Sequence, residues 1–459
     1  MPEKRDYFSL ANYGLNLLEK YNDNVKCGEI FLEKSKYINI EISENSIKNS
    51  EIGNDNGISI RVIDKKGSLG FSFTNKLDKK SIEKMVNVAV KMMKVGTEDT
   101  DFKSLPSKCD KYPSIKGLFD AELKSMQTED TLKYIEDMIK ICKEDDKAIS
   151  QSADFSSSYS KTIILNSNGL EAIGKETYCQ ISSEIIVKDS VSKETSSGYE
   201  WQSERNLNKI NAIEIAGTAL TNAKRNLNRK KIKNMKVPLI LTPWGTVTMI
   251  LSPLTSAINA EAFQYQRSFL VGKRGDVIGS EYLNIQDNAL IDGAAGSACF
   301  DGEGVPCKNK KIIENGKFLK NGLLHNTYTA GKEEVESTGN AYRKSYTDVP
   351  SISNTNCILK PGTLSKEEIF KDVKKGILLD YTGDSPNIST GDFSGLILHG
   401  NLIENGELTH PLNETMLAIN LLDLFKNIDA VSKEFKIYGS FHAPYVRIKD
   451  VQILGGSNV

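Results

Sequence analysis

The 459-residue chain predicts an α+β fold: an N-terminal domain of antiparallel strands and helices, then a β-rich C-terminal domain with hairpins. Three observations carry that prediction. Apolar residues repeat at three to four positions in some segments and at two in others, which separates helices from half-buried strands. The two kinds of segment are grouped rather than strictly alternating, which favours antiparallel sheets over a βαβ wind. Asn-Gly and Asp-Gly pairs recur through the second half, and such pairs tolerate the positive φ that tight hairpins need.

In chain order, Leu10, Tyr13, Leu17 and Tyr21 set a first helix over about 8–21. Ile38, Ile40 and Ile42 alternate with polar residues, as do Ile58, Ile60 and Val62, then Leu69, Phe71 and Phe73 beyond the turn at 64–67. Antiparallel strands with one buried face are expected there. Asp78 caps a helix over 79–94 whose apolar side holds Ile82, Met85, Val86, Ala89 and Val90. After a polar connector over 95–116 come a helix over 130–143 and strands at 162–165 and 178–187, with the turn Asn166-Ser167-Asn168-Gly169 between them. A further helix over 209–228 ends in Lys224, Arg225, Arg229, Lys230, Lys231 and Lys233. Such a run reads as a solvated helix face leading into a linker, and the domain boundary is placed there, giving 1–235 and 236–459.

The stretch from 237 to 260 holds 24 residues without a charge, long enough to cross a bilayer. Pro238, Pro243 and Pro253 and the Ser and Thr side chains between them argue instead for a buried strand followed by a buried helix. Beyond it, Asp292-Gly293, Asp301-Gly302, Asn315-Gly316, Asn321-Gly322 and Asn405-Gly406 are the expected hairpin turns.

With 59 Lys and Arg against 60 Asp and Glu, no global field gathers phosphates, which disfavours nucleic acid as a partner. The first residues lack the apolar run of a signal peptide, so a cytoplasmic location is expected, with no membrane partner. Seven cysteines, odd in number and without a CxxC, indicate neither a disulfide framework nor a zinc knuckle. No G-x-x-x-x-G-K-[ST] loop occurs, and the glycine-rich stretch 292–297 lacks the strand-glycine-helix context of a dinucleotide site. TGDFS (390–394), with His399 close by, leaves a serine hydrolase open. The four histidines, His325, His399, His410 and His442, are at least 11 positions apart, so no helix turn presents two of them. Cys299, Asp301, Glu303 and Cys307 form a weak metal candidate, two thiols and two carboxylates at the spacing of no compact zinc unit. His442 is a second weak candidate.

Motifs in a set order complete the sequence: GSLGFSFTN (67–75), NSNGL (166–170), KVPLILTP (236–243), FDGEGVP (300–306), STGNAYR (337–343), TGDFS and IENGEL (403–408). From about Gly57 to Gly456 this succession resembles the TldD/PmbA family of cytosolic metallopeptidases. The resemblance implies two branches that pair. In the TldD-like branch an H-E-x-x-x-H helix and a late cysteine bind zinc, and the glutamate activates water; the TldE or PmbA-like branch lacks the ligands. Five residues turn about 500° on an ideal helix, leaving the two histidines about 140° apart, so that helix must be locally distorted. On this resemblance the equivalent stretch is Ala260 to Tyr265, with Glu261 kept but Ala260 and Tyr265 at the ligand positions. The segment 436–448, KIYGSFHAPYVRI, contains no cysteine. The implied protein is a non-catalytic TldE-like subunit with no cofactor of its own. Zinc is expected in a TldD-like partner, the assembly is a heterodimer or a homodimer, and small or unfolded peptides are the substrates. The alternative is a self-sufficient homo-oligomeric peptide-binding or scaffold protein without peptidase activity. A third reading makes the chain itself a metalloenzyme through Cys299 and Cys307 or His442.

Overall fold

A computed structural model describes residues 7–21 and 23–456. Six antiparallel strands make a first sheet: β1 (Val25–Ser43), β2 (Ser46–Asp64), β3 (Leu69–Thr74), β4 (Ala148–Asn166), β5 (Glu171–Lys188) and β6 (Thr195–Glu204), ordered β3-β2-β1-β4-β5-β6. One face carries helices. Tyr7–Asn16 and Lys79–Val95 pack on Ile30, Leu32, Ile58, Ile60 and Val62. Thr128–Lys143 and Ala212–Arg225 pack on Ile38, Ile40, Phe155 and Ile181. The Asp78 carboxylate accepts the Ser81 N–H at 2.9 Å and starts its helix as expected.

Two expectations for this sheet are corrected. Burial is not confined to one face: Glu29, Phe31, Arg61 and Ile63 point the other way and are also buried, because the second half of the chain covers that side. In β3 the apolar set faces away from the helices, leaving Leu69 42% and Phe73 50% exposed. The helix Lys79–Val95 lies too close for a side chain at position 70, since a Cβ on Gly70 would stand 1.9 Å from the Ala89 carbonyl oxygen. Phe73 instead meets Tyr346 edge-on at 6.2 Å on the opposite face.

The second sheet contains eleven strands. They are β7 (Met235–Leu241), β8 (Ile285–Asn288), β9 (Asn309–Glu314), β10 (Lys317–Phe318), β13 (Cys357–Leu359), β14 (Lys375–Thr382), β15 (Asp392–Glu404), β16 (Glu407–Pro411), β17 (Met416–Asn420), β18 (Ile428–Tyr438) and β19 (Phe441–Leu454); β11 (Ala341–Tyr342) and β12 (Ser351–Ile352) pair separately. The path β19-β17-β15-β14-β7 closes into a barrel, because β19 also pairs with β7. Closure removes sheet edges and surrounds a core including Leu239, Leu241, Leu379, Leu417, Val446 and Ile448. The uncharged stretch becomes β7 and then helical turns, as expected, and among the described residues no helix is long and apolar enough to cross a membrane.

Asn315-Gly316 and Asn405-Gly406 close β9–β10 and β15–β16 with positive φ at both residues, 48° and 74°, 52° and 83°. The other three pairs are corrected to loop turns. At 292–293 only the glycine has positive φ, and the 301–302 pair lies in a loop closed by a single Phe300–Pro306 bridge. Much of the basic run is paired within the chain: Lys224 with Asp145, Arg225 with Asp380, Arg229 with Glu194 and Lys231 with Glu414.

Candidate functional site

β7 ends in a helical run that faces the last hairpin. Thr242 caps it, accepting the Gly245 N–H at 3.1 Å, and Pro243 takes the first turn, where no N–H is needed. Val247–Leu251 is then a π-helix, with the Ser252 N–H donating to the Val247 carbonyl five residues back. Such wide turns bring residues five apart more nearly into line than an α-helix does. Thr246 Oγ1 donates to the Pro444 carbonyl at 2.9 Å and holds the run on β19.

Between the run and the β18–β19 turn lies a cavity of about 420 Å³, with Val247, Thr248 and Ser252 on one side and Tyr438, Gly439 and Ser440 on the other. Three rings close one end, Trp244 to Tyr438 at 5.0 Å, Trp201 to Tyr438 at 5.8 Å and Trp201 to Trp244 at 6.1 Å. Gly439 turns the hairpin at φ +59°, and a Cβ there would stand 3.1 Å from the Trp201 ring. A second cavity of about 760 Å³ adjoins the first, sharing Ala295, Gly296 and Ser440, and reaches Glu33 and Glu176 on the covered face of the first sheet and Arg343 of the second half of the chain. Arg205 organises the shared wall by donating to Glu176 at 2.7 Å and to the carbonyls of Ala295 and Ser297 at 2.7 and 3.1 Å. Burial, then the neighbouring Asp55 and Glu176 charges, pushes the Glu33 carboxyl up to about 7.

The structure puts the sequence-predicted residues elsewhere. Ala260 is buried, while Glu261 and Tyr265 are exposed on the short helix Ala260–Gln264, whose contacts run to Leu324, Thr329 and Glu333. None of the three lines either cavity. The Cys299 to Cys307 cluster is a loop staple. Asp301 accepts the N–H groups of Glu303, Val305 and Ala341, each at 2.9 Å, and Glu303 accepts Arg61 and the Thr327 N–H, each at 2.8 Å. Burial pushes both thiols up, and Cys307 donates to the Gly339 carbonyl. With both carboxylates taken up by the chain's own donors, and no three such side chains gathered among the described residues, the set does not fit a zinc ion.

His442 stacks on Phe435 with rings 6.1 Å apart and nearly parallel. Its Nε2 finds no partner among the described residues, and burial pushes its pKa down to about 4. His325 is likewise buried, against Thr329 Oγ1 at 3.3 Å. The serine hydrolase expectation is corrected: Ser394 and His399 both lie on β15, where five residues of extended chain hold them about 16 Å apart. Among the described residues no three His, Cys, Asp or Glu side chains gather to hold a metal ion.

One buried cluster was missed in the sequence. Arg61 Nη2 lies 3.0 Å from Glu29 and 2.8 Å from Glu303, and Arg343 pairs with the other oxygen of Glu29. It ties β1 and β2 to the second half of the chain. The only sequence signals were the glutamate in FDGEGVP, Glu303, and the arginine ending STGNAYR, Arg343.

Three family models match the chain in succession: the PmbA/TldA metallopeptidase domain 1 over residues 28–93, the central domain over 121–227 and the C-terminal domain over 234–455. A metalloprotease of Methanocaldococcus jannaschii is 32% identical over 411 residues, covering 87% of this chain and 88% of that protein. A metalloprotease PmbA homologue of Buchnera aphidicola is 27% identical over 464 residues, covering 97% of each. Among solved structures, TldE from Thermococcus kodakarensis has the same fold, with TM-score 0.87 and 24% identity, covering 96% of this chain and 99% of that one. Matched by successive domain models and by a relative along most of its length, the chain belongs to the PmbA/TldD metallopeptidase family.

Proposed function

We propose that the chain is a non-catalytic, TldE-like subunit of a two-subunit zinc metallopeptidase that acts on small or unfolded peptides. One observation carries this reading. Val247, Thr248 and Ser252 face the β18–β19 turn at the spacing of H-E-x-x-x-H, on a π-turn of the kind that spacing requires, and none of them is a zinc-ligating residue type. The facing turn offers Tyr438 in place of a thiolate. We therefore move the degenerate centre from Ala260, Glu261 and Tyr265 to these residues.

Without three ligands nothing lowers the pKa of a bound water, and with Thr248 where the motif has its glutamate, no carboxylate base stands beside it. The chain's own contribution is the wall: the aromatic rings and the Arg205-held 295–297 loop shape a space that a peptide enters, while the metal belongs to a TldD-like partner. The division at residue 235 and the cytoplasmic setting are parts of the same proposal. One structural relative is named TldE, but at 24% identity it supports the fold alone, and the branch rests on the residues of the cavity. Co-expression with a TldD-like chain tests it: the two are expected to purify together, with peptidase activity only in the complex. A chain that stays a homo-oligomer beside every TldD-like candidate favours the scaffold alternative.

A further inference from the structure

A third cavity, of about 400 Å³, lies behind the Trp201–Trp244–Tyr438 wall, between β5 and β6 of the first sheet and β14 and β15 of the barrel. Its sides are rings: Tyr199, Trp201, Trp244 and Tyr381 all line it. Three carboxylates also line it, Glu184, Glu200 and Asp380. Two of these already hold cations of the chain, Lys436 on Glu200 and Arg225 on Asp380. Among the described residues the lining therefore keeps one negative charge without an ion-pair partner, on Glu184. The Arg229 nearby is engaged with Glu194, and His399, half-buried in the wall, is held below its ordinary pKa by desolvation and is neutral at pH 7.

Aromatic faces and a carboxylate converging on a small cavity attract an ammonium or guanidinium with an apolar stem, because ring quadrupoles and the anion both favour the cation. The chain itself shows the chemistry. Lys436 Nζ sits over the Tyr438 ring, 5.2 Å from its centroid, while pairing with Glu200. We propose that this cavity is a binding site for one organic monocation, an amine on a short aliphatic stem, with Glu184 as its counter-charge. The inference stands whether or not the chain is the non-catalytic subunit of a peptidase.

The chain has two tryptophans, and both line this cavity and the first one, so intrinsic tryptophan fluorescence reports binding in either, and Glu184, which lines this cavity and not the first, tells the two apart. The full chain is titrated with n-butylammonium, with N-acetyl-lysine amide and with the neutral isostere N-acetylnorleucine amide. Both cations are expected to give a saturable change and the isostere none. Tighter binding of the lysine amide assigns the cation to a peptide side chain, and tighter binding of butylammonium to a free amine; either supports the site. Glu184→Gln, at an exposed position, is expected to weaken cation binding about tenfold with an unchanged emission spectrum in the free protein. No saturation by about 10 mM, an equal response to the isostere, or unchanged affinity in Glu184→Gln overturns the proposal.

Discussion

Gly70 and His442 each carry a cost that a single substitution can measure. At Gly70 an added methyl meets backbone, not a movable side chain, so Gly70→Ala is expected to cost about 2–3 kcal/mol. Its thermal midpoint should fall, while Gly169→Ala, whose Cβ meets nothing within 4 Å, strains only a φ. At His442 the folded pKa of about 4 lies below the ordinary 6.5, so the unfolded chain takes up the proton first as pH falls. The stability gained by burying the neutral ring is whole above pH 6.5 and is lost as pH falls to 4, up to about 3 kcal/mol. Glu33, pushed up to about 7, has the opposite sign and loses stability as pH rises from about 4. Comparing His442→Phe with the parent by denaturant unfolding at about pH 7 and about pH 4.5 isolates the histidine: the parent should lose more stability than the variant on acidification.

Among the elements, the ones with local signals could be read in advance. The Asp78 cap, the helices over 79–95 and 128–143 and the hairpins at Asn315-Gly316 and Asn405-Gly406 all follow from neighbours in sequence. β3 could not, because its facing depends on how closely a helix from further along the chain approaches Gly70. The site was harder still. Val247, Thr248 and Ser252 are ordinary residues, and their spacing acquires meaning only from a π-turn that no periodicity in the sequence announces; Glu261 drew attention because it was the one acid in a plausible frame. The ion cluster depends on residues as far apart as Glu29 and Arg343, which no window of sequence brings together. That cluster is expected to be sensitive. Arg61→Met leaves the Glu29 and Glu303 carboxylates buried with one cation fewer, and breaking such a cluster costs about 3–5 kcal/mol. Unfolding midpoints in urea should show that loss, and a midpoint within error of the parent would mean that water replaces the guanidinium.

For the molecule as a whole, the α+β class and the β-rich second half were legible, but barrel closure was not. It depends on β7 pairing in parallel with β14 and antiparallel with β19, contacts between segments more than a hundred residues apart that leave no local trace. The buried ion cluster and the Lys436–Glu200 and Arg225–Asp380 pairs tie the first half of the chain to the second, and the cavities lie along that junction. On the function proposed above, the molecule supplies the walls of a peptidase chamber and not its metal. The decisive experiment is zinc content and peptide hydrolysis of the purified chain, alone and after mixing with a TldD-like chain carrying H-E-x-x-x-H. Substoichiometric zinc and no hydrolysis are expected alone, even with zinc added, and a joint complex is expected to hydrolyse peptides. Stoichiometric zinc with peptidase activity in the chain by itself would overturn that function.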